Sequence, residues 1–513
     1  MPRSTRSLSS PALGASLLLA LAGCGGGSAS APTSAAAPDT VASADLTDDP
    51  AAADPSAIDI APTFHMLPTP VEPPTSDADG SSASADQPPT ATALPPGIRA
   101  IASRNLTLDA ARAAIQSLPR ATIQAVTFSA TYTPAQIRNA YGLAAAPGPA
   151  ALSALTTAQR AALGAGQTIY IVDAYRHPNL ATDLAAFNKR FGLPTCATVV
   201  IAAASALPLA AAPVADSCTF SRVVATKAGA IATTTPAYNA GWAQETALDV
   251  EWAHALAPLA RIVVVEATTN GMADLSGAIT LANRMGAGVL SMSFGANEGS
   301  YIKSYDALFA AAGMSYVASA GDSGTQSGWP AVSAGVLAIG GTTLDALHGA
   351  RTESAWSASG GAASVIAARP DYQRSSTVPG LPAGTTRLTS DVAFNADPYT
   401  GQFTAFTPSG SKTTAWMGMG GTSVGAPCWA GLLAVGNAQR ALAGKATLGK
   451  PHATLWTTVA SVPGRYASVF KDVVAGANGS CTTACAAHAG YDFPTGLGTP
   501  NVAKLLPYLV AAK

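Results

Sequence analysis

"RIVVVEA", residues 261–267, sets four β-branched apolar residues in a row between an Arg and a Glu, and what flanks it decides how it folds. An Ala-rich helical candidate, Asn239–Ala257, precedes it and another, Met272–Met285, follows. β-Branched side chains are stiff at χ1 and fit a pleated surface better than a helix. Consecutive rather than alternate apolar positions mark a strand covered on both faces. "TIYIVDA" (168–174), "ATVVIAA" (197–203), "GVLSMSF" (288–294), "MSYVASAG" (314–321) and "GVLAIGG" (335–341) read the same way, with Ser304–Ala312 a further helical candidate. The alternation predicts an α/β fold, a mostly parallel sheet with helices on both faces, whose chemistry gathers at strand C-terminal ends and helix N-termini. One large body, residues 131–513, is long enough to hold a single core, alone or with a small subdomain.

The 513-residue chain is 48% hydrophobic and 11% charged with a formal net charge of -1, which excludes a basic nucleic-acid binder. Arg3 and Arg6 precede "ALGASLLLALAGC", too short for a membrane span and suited to a signal peptide over residues 1–23. Its end, Leu21-Ala22-Gly23-Cys24, resembles a bacterial lipobox. That implies a lipidated Cys24 and an outer-membrane lipoprotein, periplasmic or at the cell surface; the competing reading is an ordinary cleaved signal and a secreted protein. Export permits disulfides. Cys196 with Cys218 and Cys481 with Cys485 can pair within their own loops, leaving Cys428, though spacing leaves the connectivity open. Residues 24–97, rich in Ala, Pro, Ser, Thr and Asp with no Lys or Arg, predict a disordered tether, and residues 98–130 a short linker with one candidate helix, Leu106–Leu118.

In this charge-poor chain "ETALDVEW" (245–252) sets Glu245 and Asp249 on one side of a helix, a turn apart. A solvated helix face is one reading. A surface pair of acids is normally relieved by a nearby cation, however, and there is no Lys or Arg from Ala228 to Ala260.

Three stretches offer a nucleophile or its base. "GDSG" (321–324) has the serine motif of trypsin-like proteases, but Thr325 follows where that motif needs Gly, and the β-barrel context is missing. "LHGA" (347–350) lacks the Thr of the subtilisin His-Gly-Thr, and none of the other histidines (65, 177, 254, 452, 488) sits in a base motif. "GGTSVGAPCWAGLLAVGNA" (420–438) puts Ser423 at a helix entry, beside free N–H groups and the positive end of the dipole. Ser423 reads there either as an N-cap or as a nucleophile.

Together with "YTPAQIRNAYGL" (132–143), "IVDAYRHPN", "GWAQETALDVEWAHALAPLARI", "VLSMSFGANE", "SAGDSG", "AIGGTTL", "DVVAGANG" and "AGYDFPTGLGTP", in that order, the stretch "GGTSVGAP" resembles the sedolisins, the serine-carboxyl peptidases of subtilisin-like fold. The resemblance covers nearly everything after the tether. It implies Ser423 as nucleophile, Glu245 as general base, Asp249 as the residue orienting Glu245, and Asp322 as oxyanion stabiliser. It implies one structural Ca2+ on the carboxylates of Asp472 and Asp492 and the carbonyls of Val473, His488 and Gly490, His488 standing where the family has Gly. The expected activity is that of an endopeptidase on protein or peptide substrates in acid, acting as a monomer. The alternative is a surface binding lipoprotein that kept the fold and lost turnover. One departure is upstream: the family carries a long folded propeptide, for which this chain offers only the tether and one candidate helix, which argues against a self-activating route.

Overall fold

Side-chain alternation along the central strands sorts the core into two layers. The computed structural model describes residues 58, 60–67, 71, 73, 100–103, 130–374, 377–481 and 483–513; the signal peptide, Cys24 and the candidate helix Leu106–Leu118 lie outside them. In chain order the strands are β1 (Ala61–Pro62), β2 (His65–Met66), β3 (Ile101–Ala102), β4 (Thr168–Ala174), β5 (Cys196–Thr198), β6 (Cys218–Ala225), β7 (Ile231–Ala232), β8 (Arg261–Ala267), β9 (Gly288–Met292), β10 (Phe294–Asn297) and β11 (Met314–Ser319). There follow β12 (Gly328–Trp329), β13 (Val336–Asp345), β14 (Thr352–Ala355), β15 (Ala363–Ala368), β16 (Thr386–Leu388), β17 (Val392–Asn395), β18 (Gln402–Phe406) and β19 (Ala415–Gly420).

The main sheet runs β14-β13-β11-β9-β4-β8-β6-β5, with β17 beside β13 and β7 beside β6. Pairing is parallel except for β14 and β7. Ile169, Ile171, Ile262 and Val264 face one layer of the core and Tyr170, Val172, Val263 and Val265 the other, as a period of two requires. The helix Ala240–Leu256, here the acid helix, and the helix Thr422–Leu442, the serine helix, fill the first layer; Met272–Met285 fills the second. This is the predicted architecture of helices on both faces of a mostly parallel sheet.

The acid helix starts at Asn239, whose side chain accepts from Trp242 N at 3.1 Å and satisfies one of the orphan donors of the first turn. It is buried almost all round, as a helix without a polar face must be. Trp252 sits wholly inside, its indole N–H donating to the Phe403 carbonyl at 2.9 Å. The serine helix packs against it at Gly431, where an added Cβ would lie 2.6 Å from Leu256 Cβ, so only glycine permits that approach.

Four expectations need correction or refinement. "ATVVIAA" is a strand only over β5; beyond it Val199 and Val200 are 45% and 87% exposed, because β5 is the edge of the sheet and the chain leaves it there. β6, unmarked in the sequence by any long apolar run, holds the place between β5 and β8. Ser304–Ala312 forms two short turns, Ile302–Tyr305 and Asp306–Ala310. The tether over residues 24–97 is interrupted: Ile60, Phe64, Met66, Leu67 and Val71 are buried, β1 pairs with β10, and β2 pairs with β19 and β3. In the linker over residues 98–130, β3 is likewise paired. Averaged composition hid the short apolar run "IDIAPTFHML" among polar neighbours.

The disulfides Cys196–Cys218 and Cys481–Cys485 form, and Cys428 is free and buried. Among the described residues no helix is long and apolar enough to cross a membrane.

Candidate active site

Ser423 is the second residue of the serine helix, reached through Gly421 at φ 101°, a left-handed conformation that β19 needs to turn into the helix. Its Oγ donates to Glu245 Oε2 at 3.0 Å. One turn further along the acid helix, Asp249 Oδ1 lies 2.8 Å from Ser293 Oγ, at the junction of β9 and β10. Ser293 Oγ also lies 3.2 Å from the Ser423 carbonyl. That carbonyl is open because Pro427, four residues on, has no N–H to give it. One hydroxyl hydrogen cannot serve both acceptors; given to Asp249 Oδ1, the shorter contact, it leaves Asp249 Oδ2 free to carry a proton toward Glu245.

The electrostatics agree with that assignment. Burial, then the charges of Asp249 and Asp173, drive Glu245 well above the usual carboxylate range, against the hydrogen bond from Ser423. Burial pushes Asp249 up to about 8, opposed by Ser293 and Glu245. Glu245 Oε1 and Asp249 Oδ2 are buried without a hydrogen-bond partner among the described residues. One proton held between the two acids would satisfy both. The two acids are therefore core groups, and the solvated-face reading fails.

Asp322 follows β11 and is buried; its Oδ1 accepts from Thr422 N at 2.8 Å and Thr422 Oγ1 at 2.7 Å. A Cβ on Gly421 would meet Asp322 Oδ2 at 2.5 Å and the Thr63 carbonyl oxygen at 2.6 Å, so these two oxygens crowd one spot beside the nucleophile. Thr63 comes from the N-terminal segment, and Ser423 N donates to its carbonyl at 3.1 Å. His65 Nε2 stands 3.8 Å from Asp322 Oδ2, and burial lowers its pKa to about 4. The four expected catalytic residues thus converge. Ser323 of "GDSG" is exposed, and His348 of "LHGA" pairs at the surface with Asp345.

Sequence reasoning missed Asp173, Ser293 and Thr63. Asp173, at the end of β4, is fully buried and driven well above its ordinary pKa by burial and then by Asp249, with Thr246 pulling the other way. A lone acid closing the apolar strand "TIYIVDA" was its signal. Thr63 had none: a lone Thr in a short run carries no motif, yet its main chain bonds Ser293 and Ser423 and its hydroxyl lies 2.6 Å from Ser319 Oγ and 3.0 Å from Ser423 Oγ.

The five residues expected at the calcium site also gather. Asp472 Oδ2 accepts from Gly490 N at 2.9 Å and its Oδ1 from Tyr466 OH at 2.9 Å, while Asp492 Oδ2 accepts from His488 N at 3.2 Å. Val473 and Asp492 are fully buried, and among the described residues no ion pair with Lys or Arg is recorded for either aspartate. Two carboxylates on neighbouring loops, neither neutralised by a Lys or Arg among the described residues, suit a hard cation. Gly490 has φ 91° but His488 does not have a positive φ, so a side chain at 488 brings no backbone strain.

The fold and this geometry define a class, the subtilisin-like α/β peptidase fold. Residues 224–459 match the model of the subtilase family. The sedolisin of Pseudomonas sp. (strain 101) is 30% identical over 243 residues, 42% of this chain and 38% of the relative. Tripeptidyl-peptidase 1 of Canis lupus familiaris is 30% identical over 257 residues, 43% of each chain. The match thus spans less than half the length of these relatives. A solved structure of Pseudomonas sedolisin, a serine-carboxyl proteinase complexed with two molecules of pseudo-iodotyrostatin, superposes with a TM-score of 0.55 at 24% identity, covering 74% of this chain and 98% of that one. The chain is thus similar in sequence to sedolisin and subtilase-type peptidases over part of its length, and shares the sedolisin fold over most of it.

Proposed function

We propose that the protein is a serine-type endopeptidase that hydrolyses peptide bonds in acid through Ser423, Glu245 and Asp249, with Asp322 at the oxyanion. The observation that carries this is the Ser423 Oγ hydrogen bond to Glu245 Oε2, backed by a second buried acid a turn away. Ionised Glu245 takes the Ser423 proton as Oγ attacks the carbonyl carbon, and returns it to the leaving amine. Asp249, carrying the shared proton, orients Glu245 and stabilises its charge. Asp322 donates to the oxyanion only while protonated, alongside the Ser423 N–H, which ties the reaction to low pH.

Asp472 and Asp492, with the carbonyls of Val473, His488 and Gly490, would hold one Ca2+, which supplies folding free energy and no chemistry. The substrates are proteins or peptides, and the catalytic body acts as a monomer. The signal peptide exports the chain and a lipidated Cys24 anchors it to the outer membrane.

Digesting a peptide library with the purified protein between about pH 3 and pH 8 tests the reading, since the carboxyl pKa values lie low in that range. Cleavage greatest in acid and lost in Ser423→Ala is expected. Tight peptide binding without turnover at any pH would instead identify a binding lipoprotein.

A further inference from the structure

At the edge of the main sheet β5 lies parallel to β6 with Cys196 opposite Cys218, and the last turn of the acid helix meets the disulfide between them. His254, in that turn and wholly buried, sets Nδ1 3.5 Å from Cys196 Sγ. Its Nε2 lies 3.0 Å from the Pro194 carbonyl, which can only accept, so Nε2 carries the ring hydrogen. Burial lowers the pKa of His254 to about 4, against the pull of that carbonyl, so the ring is neutral and Nδ1 presents a bare lone pair.

A disulfide sulfur has no hydrogen to give that lone pair. Nδ1 therefore faces Cys196 as a buried acceptor with no hydrogen in the contact, an unfavourable state. Asn188, in the helix Leu180–Phe191 and 2% exposed, adds a second misfit at the same sulfur. Its Nδ2 lies 4.0 Å from Cys196 Sγ, while its Oδ1 is buried without a partner among the described residues. Half a turn of the amide exchanges the two atoms and aims the oxygen at the sulfur. A Cys196 thiol would satisfy His254 alone, whereas a cation held by two thiolates would satisfy His254 and Asn188 together.

The distances suit such an ion. The ligand atoms of Cys196, Cys218 and His254 all lie within 4.8 Å of one another. Tetrahedral zinc, with bonds of about 2.3 Å to sulfur and about 2.1 Å to nitrogen, separates its ligand atoms by roughly 3.3–3.8 Å. The 3.5 Å contact of His254 with Cys196 already falls there. Thiolate and imidazole select zinc over the hard cation that suits Asp472 and Asp492. The hydrogen bond from Nε2 to Pro194 is the outer contact that fixes the tautomer and ring orientation of a metal-binding histidine.

We propose that the reduced form of this pair is a zinc site, with the Cys196 and Cys218 thiolates, His254 Nδ1 and Asn188 Oδ1 as its four ligands. A dithiol reductant opens it. One of its thiolates attacks the half-buried Cys196 Sγ and displaces the Cys218 thiolate; its second thiolate then displaces Cys196. The reductant leaves as a cyclic disulfide, having given up two electrons and two protons, and Cys196 and Cys218 are left as thiols. Zn2+ then replaces the two thiol protons, which pass to water. β5, β6, the acid helix and the helix Leu180–Phe191 stay clasped in either state. None of the four ligands is among the proposed catalytic residues, so the inference stands apart from the peptidase reading.

The test uses the full-length protein in saturating Ca2+, either oxidised or treated with a dithiol and desalted without air. It is titrated with Co2+ as a spectroscopic stand-in and then with Zn2+. The reduced protein should bind one equivalent, with tetrahedral d–d bands and thiolate-to-cobalt charge transfer that Zn2+ erases; the oxidised protein should show neither. Zn2+ should raise the melting temperature of the reduced protein, or refold it where reduction has loosened it, and leave the oxidised protein unchanged. His254→Ala should lose the tetrahedral spectrum, and Asn188→Ala should weaken Co2+ binding by at least about 10-fold. Joint Cys481→Ser and Cys485→Ser, which removes the other disulfide, should bind as the wild type does. Reduced protein that gives no thiolate spectrum, or whose melting temperature ignores Zn2+, would overturn the inference. A spectrum that survives Cys196→Ser or His254→Ala, or vanishes with Cys481 and Cys485, would overturn it by placing the metal elsewhere. Unchanged affinity in Asn188→Ala would overturn the assignment of the fourth ligand.

Discussion

Two stretches of very different character meet at Ser423: the acid helix, residues 240–256, and the segment 60–67. Both are buried, yet the helix is held by side chains and the segment largely by main-chain ladders. In the proposed mechanism Glu245 and Asp249 depend on the helix removing them from water, which raises their pKa and lets a proton be shared. Thr63 reaches the same serine through its backbone, and its side chain adds only hydroxyl contacts. A site of this kind needs exact side chains on one wall and tolerates varied ones on the strand that crosses it.

The sharpest way to break that contrast is to neutralise one acid without changing its shape. Glu245→Gln should lower the rate of peptide hydrolysis by about 10²–10⁴-fold, the range for losing a general base. Retention of most of the rate, measured at the acid optimum, would reduce the helix to a packing element. Asp322→Ala should follow at about 10²–10³-fold, with Asp322→Asn losing less because an amide still donates a hydrogen bond. Equal losses in the two Asp322 variants would show that the residue is not a donor to the oxyanion.

The same contrast explains what was legible in the sequence. β4, β8 and the acid helix were readable because each carries a long run of one texture whose period matches its burial. Glu245, Asp249, Asp322 and Ser423 were readable as a set, through a resemblance whose motifs stand in order. Asp173 escaped because a single acid at a strand end has no partner in its own stretch; the partner, Asp249, comes from the acid helix. Thr63 escaped because strands of two residues have no period, and hydrogen bonds made by main chain leave no trace in side-chain composition. β6 escaped because Ser221 and Arg222 interrupt its apolar run, the latter pairing with Glu266 on β8.

Burial of acids makes the stability of the helix wall depend on pH in a fixed direction. The folded pKa of Asp249, about 8, lies above the ordinary 3.8, so between those values the native state binds the proton that the unfolded chain has lost. Stability from this group is fully present below about pH 4 and falls as pH rises toward 8. Glu251 and Asp173 shift the same way through burial. The melting temperature should therefore decline from acid to neutral pH, and Asp249→Asn should flatten the decline. A wild-type melting temperature that rises across that interval would contradict the assignment of these carboxyls as buried acids.

The smallest expected effect separates the two stretches most finely. Leu248 on the acid helix and Ile60 in the segment are both fully buried, so counting area alone assigns them similar penalties on truncation. Leu248 lies in the core layer between the sheet and the serine helix, where a cavity cannot open without loosening the whole body. Leu248→Ala should cost about 2–5 kcal/mol of global stability. Ile60 belongs to a strip whose neighbours are two-residue strands, so it can leave by local opening while the sheet stays folded. Ile60→Ala should therefore change global stability by under about 1 kcal/mol, while hydrogen exchange of the Thr63 and Leu67 amides accelerates. Equal losses of melting temperature in the two variants would mean that the segment is part of the cooperative core and does not open on its own.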